Sequence, residues 1–466
     1  MKRDRVAITL ILITAAALRL YGIGSESLWF DEAASVRIVR QDFTTMMQSI
    51  RDDERIPPLH YLILHAWVRV FGHSEASVRL PSALAGVGVV WVLYLLTRRL
   101  LGVGPALVAA LLIAVAPFQI QYSQEARSYS LMLLLSLTSC WLFVRMLDGD
   151  EPRTPIEAAY VLASAAAMYA HLYALFTLIA QVVIYLVLWT RAEKHRFPMR
   201  RWLVTQLAIA ALFLPWVPVT LRWARSVGSG FWLPPATARD LWAPYLAYVG
   251  ESMPLLIVAV LLAIVGIVVN RRDVRSLALL LALTTLPVLV PVIVSILTKP
   301  TFTPRYGIVA PAALFALAGC GVIALRHRAA QVGAAIVLAA LSLYAIRDIP
   351  RKPAWRSAIT HVESSARPKD YIVMTPRRST YIYDYYAKRG TDVTRKGFDS
   401  GAIPLSVPLD PPGTRVWFIY EPTYDPKDVL DRGGWRVRSS HPFDGLTILE
   451  LDDGSEATTL PTTRSR

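Results

Sequence analysis

Two adjacent carboxylates, Asp31 and Glu32, follow the first apolar stretch of the chain (6–23) within a turn or two. Charges at the edge of hydrocarbon are costly unless they face water or a site. A carboxylate at a helix mouth, beside Trp29 and Phe30, can act as a general base that removes a proton from an acceptor hydroxyl. The plainer alternative is a solvated loop in which Asp31 caps a helix. A third acid, Glu125, stands in Gln121-Tyr122-Ser123-Gln124-Glu125-Ala126-Arg127-Ser128-Tyr129, again between two apolar segments. Here Glu125 could accept from sugar hydroxyls, and Arg127 could hold a phosphate, since a guanidinium matches phosphate oxygens in pairs. The competing reading is a simple turn with a local Glu–Arg pair. Within Asp52-Asp53-Glu54-Arg55-Ile56-Pro57-Pro58, the two aspartates read as solvated. Glu54 and Arg55 abut the Pro-Pro start and would point into the same cavity.

Other polar residues read more plainly. Arg305, in Thr303-Pro304-Arg305-Tyr306, sits just outside a helix end, where an arginine commonly snorkels. It could also hold a lipid phosphate, but spacing favours the anchor, and Arg19 takes the same reading. His171, at the tip of a helix hairpin, reads as a hydrogen-bonded packing residue. No spacing of His, Asp or Glu suggests a metal site, no glycine-rich phosphate loop lies outside the membrane, and no cofactor is expected. Cys140 and Cys320 both fall inside apolar segments and give no disulfide framework.

The elements that must position these groups are membrane helices. Hydrophobic residues make up 54% of the 466-residue chain and charged residues 18%, a polytopic membrane profile rather than that of a soluble globule. The formal charge of +15 lies mostly in short loops between apolar runs, so it calls for no nucleic acid. A spanning helix needs ~20 mostly apolar residues. Stretches of about that length occur at 6–23, 79–96, 105–120, 129–147, 156–170, 173–190, 202–221, 254–269, 277–297, 306–325 and 329–345, about eleven transmembrane helices. The run 156–190 is too long for one span and is split near His171. The first stretch lacks a small-residue cleavage site and reads as a retained helix, not a signal peptide.

With the N-terminus cytoplasmic, alternate loops carry Arg98-Arg99, Arg145 with Arg153, the basic run 191–201, Arg271-Arg272-Arg275 and Arg326 with Arg328. This is the positive-inside pattern at every inner loop. Both acidic sites and the C-terminal tail then lie outside a cytoplasmic (inner) membrane. The first external loop, 24–78, is too long for a connector. Its segment 59–71, preceded by Pro57-Pro58, suits a helix lying in the interface. The expected domains are a transmembrane part at 1–346, a small external α/β domain at 347–453 with a helix at 357–366 and strands at 371–375, 415–420 and 446–451, and a disordered tail at 454–466.

The series Leu28-Trp29-Phe30-Asp31-Glu32, Pro57-Pro58-Leu59-His60-Tyr61-Leu62, Arg79-Leu80-Pro81-Ser82 and Tyr122 to Tyr129, in this order, resembles bacterial membrane glycosyltransferases of the GT-C fold. The family-39 (protein mannosyltransferase-like) and aminoarabinose-transferase-like enzymes are the nearest in kind. Arg305-Tyr306 matches a late motif of the family. The resemblance implies transfer of a sugar from a polyprenyl-phosphate donor to a glycan, lipid or protein acceptor outside the membrane. It maps the first-loop acid onto Asp31, with Glu32 beside it, and makes Glu54, Arg55, His60, Glu125, Arg127, Tyr129, Arg305 and Tyr306 candidate substrate-binding residues. Many relatives carry His or Lys directly before Pro-Pro; here that position is Ile56, and Arg55 is the cation that would substitute. A transporter or lipid flippase is the rival class, but it would place ionisable groups near the midplane and often in repeated, broken halves. The centres of these spans are almost free of charge, and the acids gather at one face.

Overall fold

The computed structural model describes residues 2–54, 56–190, 197–226, 237–298, 300–368, 370–388, 394–397, 415–422, 424–426, 430 and 435–452. The chain divides into two compact units, Met1–Ile23 with Gln41–Ile349, and Gly24–Arg40 with Pro350–Arg466.

The first unit is a helical multi-pass membrane domain. Each of the eleven apolar stretches is helical. Five helices are long and apolar enough to cross a membrane, Glu75–Leu101, Tyr129–Asp148, Met199–Arg225, Val274–Leu297 and Arg328–Asp348, and a bent pair makes a sixth. Shorter apolar helices include Ala174–Thr190, Met253–Val269 and Ala310–Ile323. The break expected near His171 falls between the helices Arg153–Ala170 and Ala174–Thr190. The helix Leu59–Phe71 has Pro58 at its N-cap, as the Pro-Pro start implied.

The bent pair is Val103–Val115 and Pro117–Ser123, which meet at 59°. Proline disfavours helical backbone in the residue before it, and Ala116 is accordingly extended (φ −64°, ψ 122°). Pro117 also has no N–H for the carbonyl of Ile113, four residues back. Arg19 supplies the missing donors: its guanidinium reaches the Ala114 carbonyl at 2.9 Å and the Ile113 carbonyl at 3.2 Å. Arg19 is therefore not the snorkelling anchor expected from its place near a helix end. It is fully buried and caps the broken helix from the side. A Cβ at Gly86 would overlap Arg19 Nε and Ser123 Oγ, so glycine is what admits this arrangement. Arg19→Met should leave two buried carbonyls without donors, at about 1–3 kcal/mol each. We expect a clear drop in melting temperature in detergent, partly restored by Arg19→Lys; an unchanged melting curve for Arg19→Met would count against the capping role.

At one end of this unit, arginines from the terminal turns of three helices share two aspartates. Arg99 meets Asp148 and Asp150 (both 2.6 Å), Arg145 meets Asp150 (3.0 Å), and Arg275 pairs with Asp148. Arginines read from the sequence as facing one compartment are thus gathered at one place.

The second unit is an α/β domain. Its sheet has strands β1 (Tyr371–Thr375), β2 (Thr394–Gly397), β3 (Val416–Tyr420), β4 (Arg436–Phe443) and β5 (Leu446–Asp452), in the order β2-β1-β3-β5-β4. β1 is parallel to β2 and β3, and β5 is antiparallel to β3 and β4. Strand alternation sorts the apolar residues. Ile372, Met374, Trp417, Ile419 and Ile448 face the helices Trp355–Ser365 and Ser379–Tyr386, burying Trp355, Ile359, Val362 and Ile382. Val373, Val416, Phe418, Leu449 and Leu451 form a second cluster with Tyr424 and Trp435 around it. The sequence reading anticipated one helix and three of the strands here. It gave no element at Ser379–Tyr386, Thr394–Gly397 or Arg436–Phe443. The expected tail 454–466 lies outside the described residues.

The segment 24–40 was expected with the membrane part. In the structure it packs with the α/β domain, because the helix Phe30–Val39 puts Ala33 into that domain's core, with Phe30 against it. The Arg356 guanidinium donates to the Gly24 carbonyl (3.1 Å), the Arg356 N–H to Ser27 Oγ (3.0 Å), and the Leu28 N–H to the Tyr386 hydroxyl (2.7 Å). The Arg37 guanidinium lies 4.4 Å from the centre of the Tyr381 ring.

Candidate active-site residues

The two adjacent acids have different surroundings. Both lie in the first turn of the helix Phe30–Val39, where the helix dipole favours negative charge. Glu32 is fully buried. It accepts from Lys352 Nζ at 2.8 Å and from the N–H of Trp29 at 3.4 Å. Capping at this helix start thus falls to Glu32, and Lys352 is a partner that no sequence pattern singled out. Asp31 is half-buried, and its backbone carbonyl accepts from Ser35 Oγ at 2.8 Å. Glu32 is fixed by its ion pair on the inner side of the helix, while Asp31 keeps a carboxylate within reach of solvent.

In the membrane unit, the structure gathers six of the candidate residues and adds a seventh. The turn from Gln124 to Ser128 is held by short contacts. Gln124 Nε2 donates to the Tyr21 carbonyl (2.8 Å), and Ser82 Oγ donates to the Arg127 carbonyl (3.0 Å). His60 Nε2 lies 3.1 Å from the Ala126 carbonyl, which can only accept, so that nitrogen carries the proton. His60 is buried, and burial followed by the nearby Arg127 charge lowers its pKa to about 4, so it stays neutral. Glu125 is buried as well. The Arg127 guanidinium donates to the Tyr61 hydroxyl at 3.3 Å. Glu54 is exposed at the end of a π-helical segment, Ser49–Glu54, and Arg55 lies outside the described residues.

Tyr129 is the hub. The Arg127 guanidinium lies 6.0 Å from its ring centre and that of Arg305 5.6 Å, distances at which a cation is drawn to an aromatic face. Tyr306 packs 6.3 Å from the same ring. Arg305, read from spacing as an anchor, thus joins Arg127 around one tyrosine. His171, read as a packing residue, joins them too, with its ring 5.7 Å from Tyr129 and 5.0 Å from Tyr306. The only sequence signal for His171 was its place at the tip of a helix hairpin. Two guanidiniums above an aromatic floor can take an anionic oxygen cluster such as a phosphate.

Residues 55–218 match the family model described as dolichyl-phosphate-mannose-protein mannosyltransferase. The Bacillus subtilis (strain 168) protein YycA, which carries a provisional mannosyltransferase name, is 32% identical over 154 residues. That match takes in 30% of this chain and spans only 22% of the relative's length. Over almost its whole length the chain shares the fold of ArnT from Cupriavidus metallidurans. The apo structure aligns with a TM-score of 0.63 at 13% identity, covering 95% of this chain and 97% of that one. ArnT bound to undecaprenyl phosphate aligns with a TM-score of 0.58 at 13% identity, covering 97% and 99%.

Proposed function

We propose, from the GT-C membrane glycosyltransferase fold to which this chain belongs, that it transfers a sugar from a polyprenyl-phosphate carrier to an acceptor on the external face of the cytoplasmic membrane. The observation that carries this reading is the convergence of Arg127 and Arg305 on Tyr129. In the proposed reaction the acceptor hydroxyl oxygen bonds to the anomeric carbon while the bond from that carbon to the phosphate oxygen breaks. The leaving polyprenyl phosphate gains negative charge, and the two guanidiniums are placed to stabilise it. The acceptor's proton goes to Asp31, acting as general base. Glu32 positions the first turn that carries Asp31. Glu125 accepts from sugar hydroxyls, and His60 supports the turn that carries Glu125 and Arg127. The orientation, N-terminus inside and α/β domain outside, is supported by the shared ion pairs of Arg99, Arg145 and Arg275.

One experiment tests activity and orientation together. The protein is placed in sealed right-side-out and inside-out vesicles with radiolabelled polyprenyl-phosphate sugars and a crude envelope acceptor. We expect transfer when donor and acceptor are offered on the external face alone. Transfer from the cytoplasmic face alone would reverse the orientation. Neither transfer nor donor hydrolysis from either face would leave the transporter as the better reading.

A further inference from the structure

We propose that His171 is a third ligand of the leaving phosphate, donating through Nε2–H to one of its oxygens beside Arg127 and Arg305. This rests on the reading of the membrane unit as a lipid-phosphate glycosyltransferase.

The argument begins with the tautomer. The Tyr173 N–H points at His171 Nδ1, 3.3 Å away, so that nitrogen accepts. A neutral ring must then carry its proton on Nε2. His171 is half-buried, and among the described residues no carbonyl or side chain takes that proton. A donor is therefore left over in a place built mostly of rings. The rings are Tyr129 at 5.7 Å, Tyr306 at 5.0 Å and Tyr173 at 5.6 Å from the imidazole centre. Tyr173 packs 4.5 Å from Tyr306, and its hydroxyl is tied to the Thr301 carbonyl, so the enclosure is held from the loop before Arg305. A packing histidine usually spends both nitrogens on the protein; this one spends one.

Two positive charges, Arg127 and Arg305, act on the ring. Burial, then Arg127, then Arg305, lower its pKa to about 3, so His171 is neutral in the resting protein at any ordinary pH. A neutral imidazole beside two guanidiniums cannot repel an incoming anion, and it adds one directional donor. A polyprenyl-phosphate sugar is a phosphodiester with one negative charge. The polyprenyl phosphate left after transfer is a monoester with ~1.5 to 2 charges near pH 7. The donor hydrogen bond therefore strengthens as the sugar departs, the condition for an interaction to speed the chemical step.

The test uses the full-length protein in nanodiscs and three variants, His171→Phe, His171→Gln and His171→Ala. Binding is measured to polyprenyl phosphate and to the uncharged polyprenol. His171→Phe keeps a ring among the tyrosines, and His171→Gln keeps an N–H donor. A hydrogen bond to a charged group corresponds to ~10–100-fold in affinity. We expect His171→Phe and His171→Ala to bind polyprenyl phosphate weaker by that factor, His171→Gln to recover part of it, and polyprenol binding to stay level throughout. Equal loss for polyprenol and polyprenyl phosphate, or native phosphate binding by His171→Phe, would overturn the proposal. Inorganic phosphate is the competitor: displacement at the same concentration as the lipid would overturn assignment to a lipid headgroup. If the native protein binds no polyprenyl phosphate at all, the underlying function fails, and that result is distinct from a failure of His171 alone.

Discussion

Asp31→Asn should lower kcat by ~10²–10⁴-fold while donor binding and the melting temperature stay close to native, since general-base catalysis is typically of that size. The substitution is nearly isosteric, and the side chain is half-buried at the outer side of a helix start. Glu32→Gln should behave differently. It takes the charge from a fully buried group paired with Lys352 at 2.8 Å, and breaking such a pair costs about 3–5 kcal/mol because the partner charge is stranded. Its first symptom should be a lower melting temperature, with activity lost in proportion to folded protein. Lys352→Met should share that symptom. Turnover and melting are measured together for Asp31→Asn, Glu32→Gln and Lys352→Met at saturating donor. If Asp31→Asn turns over normally while a fully folded Glu32→Gln is dead, the base is Glu32. If both acids can be neutralised without loss, the carboxylates are not part of the chemistry.

Arg127→Lys and Arg305→Lys should each raise the donor KM and lower kcat, by ~10–100-fold in kcat/KM for a lost hydrogen bond to a charged group. Lysine keeps the charge but not the planar fork that meets two phosphate oxygens. Arg127→Lys also gives up the 3.3 Å contact to the Tyr61 hydroxyl. The effect should be confined to the donor; acceptor KM should not move. Native donor kinetics in both variants would return the arginines to the role of interfacial anchors.

The helices were legible because a stretch of about 20 apolar residues between basic loops has few other physical solutions. The helix Leu59–Phe71 was legible to the residue, since Pro-Pro fixes its start and Gly72 its end. What pattern could not supply were partners distant in sequence. Glu32 and Lys352 are 320 residues apart, and neither looks unusual alone. Arg19 reads as an anchor until Pro117, on another helix, strands the carbonyls it serves. β4, Arg-Val-Arg-Ser-Ser-His-Pro-Phe, is an edge strand with mostly exposed side chains, so it lacks the apolar alternation that betrays a strand. The candidate site divided in the same way. The acids and arginines stood out as charges in apolar surroundings, while His171 became visible only when three tyrosines were seen around it.

The attachment of Gly24–Arg40 to a domain that otherwise begins at Pro350 sets an order of events during synthesis. The acid-bearing helix leaves the ribosome about 310 residues before the rest of its domain begins to emerge. At roughly 5–20 residues per second that is a wait of ~15–60 s. A ten-residue helix is marginal on its own in water, so through that interval the first turn around Asp31 has no fixed geometry. Lys352, among the first residues of the later segment to emerge, is also the one that neutralises Glu32. A chain stopped before that point would carry the membrane helices and still lack Lys352 and the strands around this helix, so the first turn around Asp31 takes its fixed geometry only once the later segment has been made.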